Sequence, residues 1–305
     1  MPFVKKKFIV EPKQKLPLFL MKKFGYTQAE AQRLVAKGRV LVDGEAVTKS
    51  SLFVEGEIEF IYFEPISQGL KPTYKEQEFV VFDKPSGVLI HPQNRFTEYS
   101  LIDELKSQFG RDANITHRID KETSGLVLCA TNKESERKIK MMFQERQMQK
   151  RYLAVVFGKV ENDFNVDEPL LVTKDKTSAI LRTIVKVDKE GKSSQTSFKV
   201  LEYFPKEDMT LLECMPHTGR QHQIRVHLFH VKHPIVGDPL YGQTDEFVTR
   251  YLDKVLTPQE RLDITKASRL LLHANQLDFM LDNKSYTIKS ECDFKKIAFE
   301  AMQKI

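Results

Sequence analysis

Long apolar runs are missing from this chain. No stretch approaches the roughly 18 apolar residues that a membrane-spanning helix needs. The lysines near the N-terminus have no apolar segment behind them, so they do not make a signal peptide. Cysteine is scarce: Cys129, Cys214 and Cys292 are far apart and lack the Cys-x-x-Cys spacing, which argues against a disulfide framework and favours reduced thiols. There is no His-Glu-x-x-His and no Gly-rich phosphate loop. These absences lead us to expect a soluble cytoplasmic protein with no membrane segment, no metal and no nucleotide cofactor.

At 305 residues the chain is long enough for two domains with a sizeable core. Its 48 Lys and Arg against 42 Asp and Glu give a net charge of +6, which leans toward a polyanionic partner. The charge is segregated. Residues 1–40 carry ten Lys or Arg and two acids, whereas residues 41–64 carry six acids and one lysine.

Within the positive block, Leu16, Phe19 and Leu20, then Ala31, Leu34 and Val35, recur at helical spacing. Pro17 marks the start of the first helix. Thr27 with Glu30 three residues on forms a capping box for the second, which stops at Gly38. Val40–Val47 reads as two short strands about an Asp43-Gly44 turn. Residues 14–61, through Ala36-Lys37-Gly38-Arg39-Val40 and Val42-Asp43-Gly44, resemble the alpha-L RNA-binding module first seen in a small-subunit ribosomal protein. We therefore expect a small helical RNA-binding domain over 1–64, with Lys22, Lys23, Lys37 and Arg39 as phosphate contacts. Residues 65–77, aperiodic and interrupted by Gly69 and Pro72, read as a linker, and 78–305 as a catalytic domain.

The most informative stretch is His117-Arg118-Ile119-Asp120-Lys121-Glu122-Thr123-Ser124-Gly125, followed by the apolar strand pattern Leu126–Ala130. A carboxylate in a loop that feeds a core strand is well placed for chemistry, though by residue type alone Asp120 suits an Asx turn or a cap equally. The stretch resembles the signature of the RluA-type pseudouridine synthases, His-Arg-Leu-Asp-x-x-Thr-Ser-Gly, with Ile119 in place of leucine. Three further motifs follow the same family in order. Lys84-Pro85-Ser86-Gly87 reads as a turn between two strands. Lys150-Arg151-Tyr152-Leu153-Ala154 is a strand with Tyr152, Ala154 and Val156 on one face. In Thr218-Gly219-Arg220-Gln221-His222-Gln223-Ile224-Arg225, Thr218 and Gln221 look like a capping box, so a helix is expected to begin there. On that helix Arg220 and Arg225 would diverge by about 140°. Five histidines lie between His217 and His233, but only His227 and His230 have a spacing that shares a face, so no metal site is expected. The match weakens at the C-terminal end, where Phe279–Asp282 replaces a common His-Pro pair.

The resemblance implies an α+β fold, a mixed, largely antiparallel sheet with flanking helices and a central cleft. It also implies isomerisation of uridine to pseudouridine in RNA without a cofactor. Asp120 would be the catalytic residue, paired with Arg225; Tyr152 would stack on a uracil flipped out of the RNA; Arg118 would fill the vacated space. Arg220 is left for backbone phosphates or a structural contact. Attack on the sugar, attack on the ring and removal of a sugar proton all remain open to Asp120. The expected partner is large-subunit ribosomal RNA, then transfer RNA, and the enzyme is expected to be a monomer. Two rivals are a non-catalytic RNA-binding factor on the same fold and a hydrolase of another glycoside. Intact Asp120, Tyr152 and Arg225 argue against the first, and the basic N-terminal block against the second.

Overall fold

A computed structural model describes residues 2–94, 96–173 and 183–303. By packing, the chain divides into two units, Met1–Gln68 with His91–Ser107, and Gly69–Ile90 with Gln108–Ile305.

The first unit contains β1 (Phe3–Lys15), α1 (Leu16–Phe24), α2 (Gln28–Ala36), β2 (Val40–Val42), β3 (Glu45–Val47) and β4 (Phe53–Phe63). Local chemistry sets the helices. Pro17 stands in the first turn of α1, and Gly25, at φ 66°, ends it. The Thr27 hydroxyl accepts the N–H of Glu30, and the Glu30 carboxylate accepts the N–H of Thr27 at 2.8 Å. Asp43 and Gly44, both at positive φ, close the β2–β3 hairpin. Leu16, Leu20, Val35, Val40, Ile58 and Phe60 form its core.

This unit is richer in sheet than the expected helical module. Its four strands are ordered β1-β4-β2-β3. The run of Lys5, Lys6 and Lys7 obscures β1, and in β4 acids alternate with the buried Val54, Ile58 and Phe60. Antiparallel pairing of the two brings the segregated charges together: Lys5 to Glu59 at 3.0 Å, Lys6 to Glu64 at 2.8 Å and Lys7 to Glu57 at 2.8 Å. Such exposed pairs are screened by solvent and add little stability, but they neutralise three of the ten cations in the basic block.

The second unit begins with β5 (Tyr74–Lys75) and β6 (Phe79–Lys84). β5 lies inside the stretch that reads as a linker. Tyr74 and Lys75 pair antiparallel with Val81 and Val80 of β6, and the Tyr74 ring stacks on Phe79 with centroids 5.9 Å apart. Among the described residues no strand of two or more residues directly follows the Lys84–Gly87 turn, contrary to the two-strand expectation. Next, α3 (Leu101–Phe109) starts in the first unit and ends in the second. The chain continues through β7 (Asn114–Ile115), β8 (Ser124–Ala130), α4 (Lys133–Gln144), β9 (Gln149–Phe157), β10 (Phe164–Asp167), β11 (Leu170–Val172), β12 (Val185–Val187), β13 (Gln195–Phe204) and β14 (Met209–Pro216). It closes with α5 (Gln223–His230), α6 (Asp245–Leu252), α7 (Pro258–Thr265), β15 (Leu272–Leu281), β16 (Lys284–Lys289) and α8 (Phe294–Met302).

The main sheet runs β10-β13-β14-β9-β15-β8-β6-β5, with β16 beside β15 and β7 beside β8. Among the described pairs only β15 with β8 is parallel, so the fold is α+β with a mixed, largely antiparallel sheet. The register places Cys214, Tyr152, Ala274, Gly125 and Lys84 abreast across five strands. With strands about 4.8 Å apart, Tyr152 stands two strands from the start of β8. Gly125, at φ 109°, is required there, because a Cβ would lie 2.3 Å from the Ala274 carbonyl oxygen. No helix among the described residues is long and apolar enough to cross a membrane.

Candidate active site

The loop that carries Asp120 enters β8 and is clamped from two sides. The Lys84 side chain is fully buried, and its ammonium donates to the carbonyls of Pro85 (2.9 Å), Val88 (2.8 Å) and Lys121 (3.1 Å). Gly87 N–H also donates to Lys121 O, and the Ser86 hydroxyl to Glu122 O. Burial pulls the Lys84 pKa down to about 7, but three carbonyl acceptors match the three protons of a charged ammonium. On the other side the Glu122 carboxylate accepts from Arg261 of α7 at 2.6 Å and from the Tyr251 hydroxyl of α6 at 2.9 Å. The Lys-Pro-Ser-Gly turn therefore does more than bend the chain; it holds the carbonyls of Lys121 and Glu122, the two residues that follow Asp120.

Between these clamps the Asp120 side chain remains 26% exposed and lines an open cleft of about 490 Å³. One carboxylate oxygen lies 3.3 Å from Arg225 Nη1, and the other lies 3.9 Å from His222 Nε2. Arg225, on α5, is only 3% exposed. Its Nε and Nη2 both donate at 2.7 Å to Asp238, which is fully buried and also accepts the N–H of Leu240 and Tyr241. Burial works against both charges. The bidentate pair outweighs it, so the Asp238 pKa is lowered and that of Arg225 is raised. Arg225 thus presents Asp120 with a cation already fixed by a second carboxylate. Tyr152 lines the same cleft, 8% exposed, and burial together with the Asp120 charge pushes its hydroxyl pKa up.

Residues 78–230 match the RNA pseudouridylate synthase family and residues 14–57 the S4 domain. The chain belongs to the RluA-type RNA pseudouridine synthases. It is 37% identical over 290 residues to an uncharacterized RNA pseudouridine synthase of Helicobacter pylori, covering 95% of this chain and 94% of the other. It is 36% identical over 215 residues to ribosomal large subunit pseudouridine synthase D of Nitrosomonas europaea, covering 68% and 57%. It is 31% identical over 237 residues to tRNA pseudouridine synthase C of Vibrio parahaemolyticus, covering 73% and 91%. The solved structure of human RNA pseudouridylate synthase domain containing 1 superposes with a TM-score of 0.57 at 26% identity, covering 75% and 86%. Members of the family are isomerases that convert uridine to pseudouridine in RNA, and this chain is an enzyme of that class.

In this synthase the cleft also holds Arg118, exposed, and Arg220. The expected helix start at Thr218 is not observed: α5 begins at Gln223. Gln223 rather than Gln221 organises the turn. Its side-chain oxygen accepts from the Thr218 hydroxyl (2.7 Å) and Arg220 N–H (3.0 Å), and its amide donates to Gln195 O and the Thr196 hydroxyl. Arg220 consequently lies in a loop before the helix and donates from Nε to Ser193 O at 3.1 Å. His222, at the N-cap, has left-handed backbone (φ 54°) and pairs through Nδ1 with the Tyr241 hydroxyl at 2.8 Å. A non-glycine residue there carries strain that the surrounding contacts must hold. Burial, then the neighbouring Arg225, lowers the His222 pKa to about 4, so its ring is neutral beside Asp120.

Sequence reasoning assigned no role to Asp238, Tyr241 or His222. Asp238 lies in the loop that follows α5, where spacing along the chain gives it no partner. His227, by contrast, is buried between the Thr196 and Ser194 hydroxyls and Glu168 O, which fixes it as a packing residue. Elsewhere Asp83, His273 and Cys292 bring potential ligand atoms within 4.8 Å of one another. Each already has a polar partner, in Ser290, Ser124 and the His273 ring respectively, and Arg269 is adjacent.

In the first unit, Lys22, Lys23 and Lys37 are exposed on or beside α1 and α2. Arg39 is half-buried over the Phe3 ring, 4.8 Å from its centroid.

Proposed function

We propose that this synthase acts on a uridine of large-subunit ribosomal RNA, with Asp120 as the catalytic residue. The observation that carries the reading is that, among the described residues, Asp120 is the one carboxylate lining a cleft that also holds Arg225 and Tyr152. In the reaction the bond from the ribose anomeric carbon to N1 of uracil breaks, the base turns, and a bond to C5 forms. The C5 proton leaves and N1 regains one, so atoms and electrons balance without a cofactor. Arg225, anchored by Asp238, pairs with Asp120 at 3.3 Å and holds it oriented. Tyr152 supplies the face on which the flipped base stacks, and Arg118 at the exposed rim occupies the gap left in the RNA. The module over residues 1–64 contributes phosphate contacts through Lys22, Lys23 and Lys37, which position the enzyme without reading sequence.

The ribosomal assignment is supported by the N-terminal module and by the relative named as a large-subunit synthase; the relative named as a tRNA synthase supports transfer RNA as the second reading. Position-resolved mass analysis of ribosomal and transfer RNA from a strain lacking the gene decides between them. A single uridine left unmodified in large-subunit RNA is the expected result. A loss confined to transfer RNA overturns the ribosomal assignment.

A further inference from the structure

Most cations packed around the site have an oxygen partner. Arg225 has two oxygens of Asp238, Lys84 has three carbonyls and Arg261 has Glu122. Lys150 is the exception. It lies on β9 two residues before Tyr152, so both side chains leave the same face of the strand and line the cleft. Its ammonium sits 3.7 Å from where a Cβ on Gly219 would stand, facing the loop that carries Arg220. Burial lowers its pKa. Among the described residues no carboxylate lies within ion-pair distance of it, and none of the hydrogen bonds at the site reaches it. A half-buried ammonium without a counter-ion at the cleft is free to pair with a charge that arrives with the ligand.

The charge of the cleft indicates what that partner is. Arg225 is balanced by Asp238, which leaves Arg118, Lys150 and Arg220 facing the single negative charge of Asp120. Uracil and ribose are neutral and give such an excess nothing to neutralise. A phosphodiester does, and every nucleotide in RNA is flanked by two. We propose that Lys150, with Arg220 beside it, forms the subsite that holds a backbone phosphate flanking the flipped uridine. Gly219 keeps the opening between them clear, and Arg220 is steadied by its Nε bond to Ser193 O. The subsite rests on the reading that uridine enters this cleft.

The test uses the full-length protein with two probes, uridine and uridine 3′,5′-bisphosphate, titrated against the wild type, Lys150→Gln, Lys150→Arg and Asp120→Asn. A charge-assisted contact corresponds to about a ten- to hundred-fold change in affinity. Lys150→Gln should lose that factor for the bisphosphate and keep its affinity for uridine, and Lys150→Arg should restore most of it. On total RNA, Lys150→Gln should raise KM with kcat largely kept. Its melting temperature should be unchanged or higher, because a half-buried charge without a counter-ion has been removed, which separates lost binding from lost fold. Equal affinity of the wild type and Lys150→Gln for the bisphosphate overturns the subsite. So does a wild type that fails to prefer the bisphosphate over uridine. Pseudouridine formation by Asp120→Asn would instead overturn the catalytic reading, and the binding comparison at Lys150 would still stand or fall by itself.

Discussion

Two conservative substitutions around one guanidinium should have opposite consequences. Asp120→Asn removes the charge 3.3 Å from Arg225, at a side chain about one quarter exposed. Arg225 keeps both 2.7 Å bonds to Asp238, so the stability change should be within about 1 kcal/mol of zero, the scale of a solvent-screened pair. Asp238→Asn acts where nothing is exposed. The replacement amide turns donor hydrogens toward the donors of Arg225, whose own side chain is almost wholly buried, and breaking one side of such a pair costs about 3–5 kcal/mol. For a chain of this size that corresponds to a fall in melting temperature on the order of 10 °C. The chain has no tryptophan, so melting is best followed by far-UV circular dichroism. Pseudouridine formation is measured on the same samples by mass spectrometry. Asp120→Asn should melt like the wild type and form no product. Asp238→Asn should melt early and lose activity even below its transition, because Arg225 is no longer held against Asp120. If Asp238→Asn melts with the wild type while Asp120→Asn is the destabilised variant, Asp238 is not the anchor and the account of the site is wrong.

Four further outcomes are expected. His273 is buried and His117 and His222 are partly buried, and desolvation lowers the pKa values of His117, His222 and His273 from 6.5 to about 3, 4 and 4; the unfolded chain takes up protons that the fold refuses, so stability is full above pH 6.5 and is lost as pH drops toward 4. Each contributes up to about 1.4 kcal/mol per pH unit, and a urea midpoint that stays flat from pH 7 to 5 would refute this. Gly125→Ala should destabilise by about 3 kcal/mol or more, since both the positive φ and the Ala274 carbonyl oppose a Cβ; a wild-type melting curve would contradict the register drawn for β8 and β15. Tyr152→Phe should retain most product formation and Tyr152→Ala should not, in single-turnover assays, if the ring acts by stacking; loss in both assigns a role to the hydroxyl. Replacing Lys22, Lys23 and Lys37 with Gln should weaken RNA binding and flatten its salt dependence, because fewer counterions are released; an unchanged slope excludes the module from phosphate contact.

Much of the local structure was determined by the sequence alone, because its causes lie within a few residues of one another. The Thr27–Glu30 capping box, Pro17 in the first turn of α1 and the Asp43-Gly44 hairpin each close on themselves. The motif order through Asp120, Tyr152 and Arg225 was equally legible, and the fold brings all three to one cleft. Tertiary structure decided what crosses the chain. Lys5, Lys6 and Lys7 read as part of a positive block until β1 pairs with an acidic strand some 50 residues away. Thr218 and Gln221 have the spacing of a cap, yet Gln223 takes Thr218 and Arg220 because it also reaches Gln195 and Thr196 across the loop. Arg225 is 105 residues from Asp120 and 13 from Asp238, and periodicity within a helix cannot say which carboxylate it will hold more tightly. That choice depends on burial. The fully enclosed Asp238 can exist as an anion only with a cation and backbone donors around it, whereas the partly solvated Asp120 keeps water as a second partner and so remains available for chemistry.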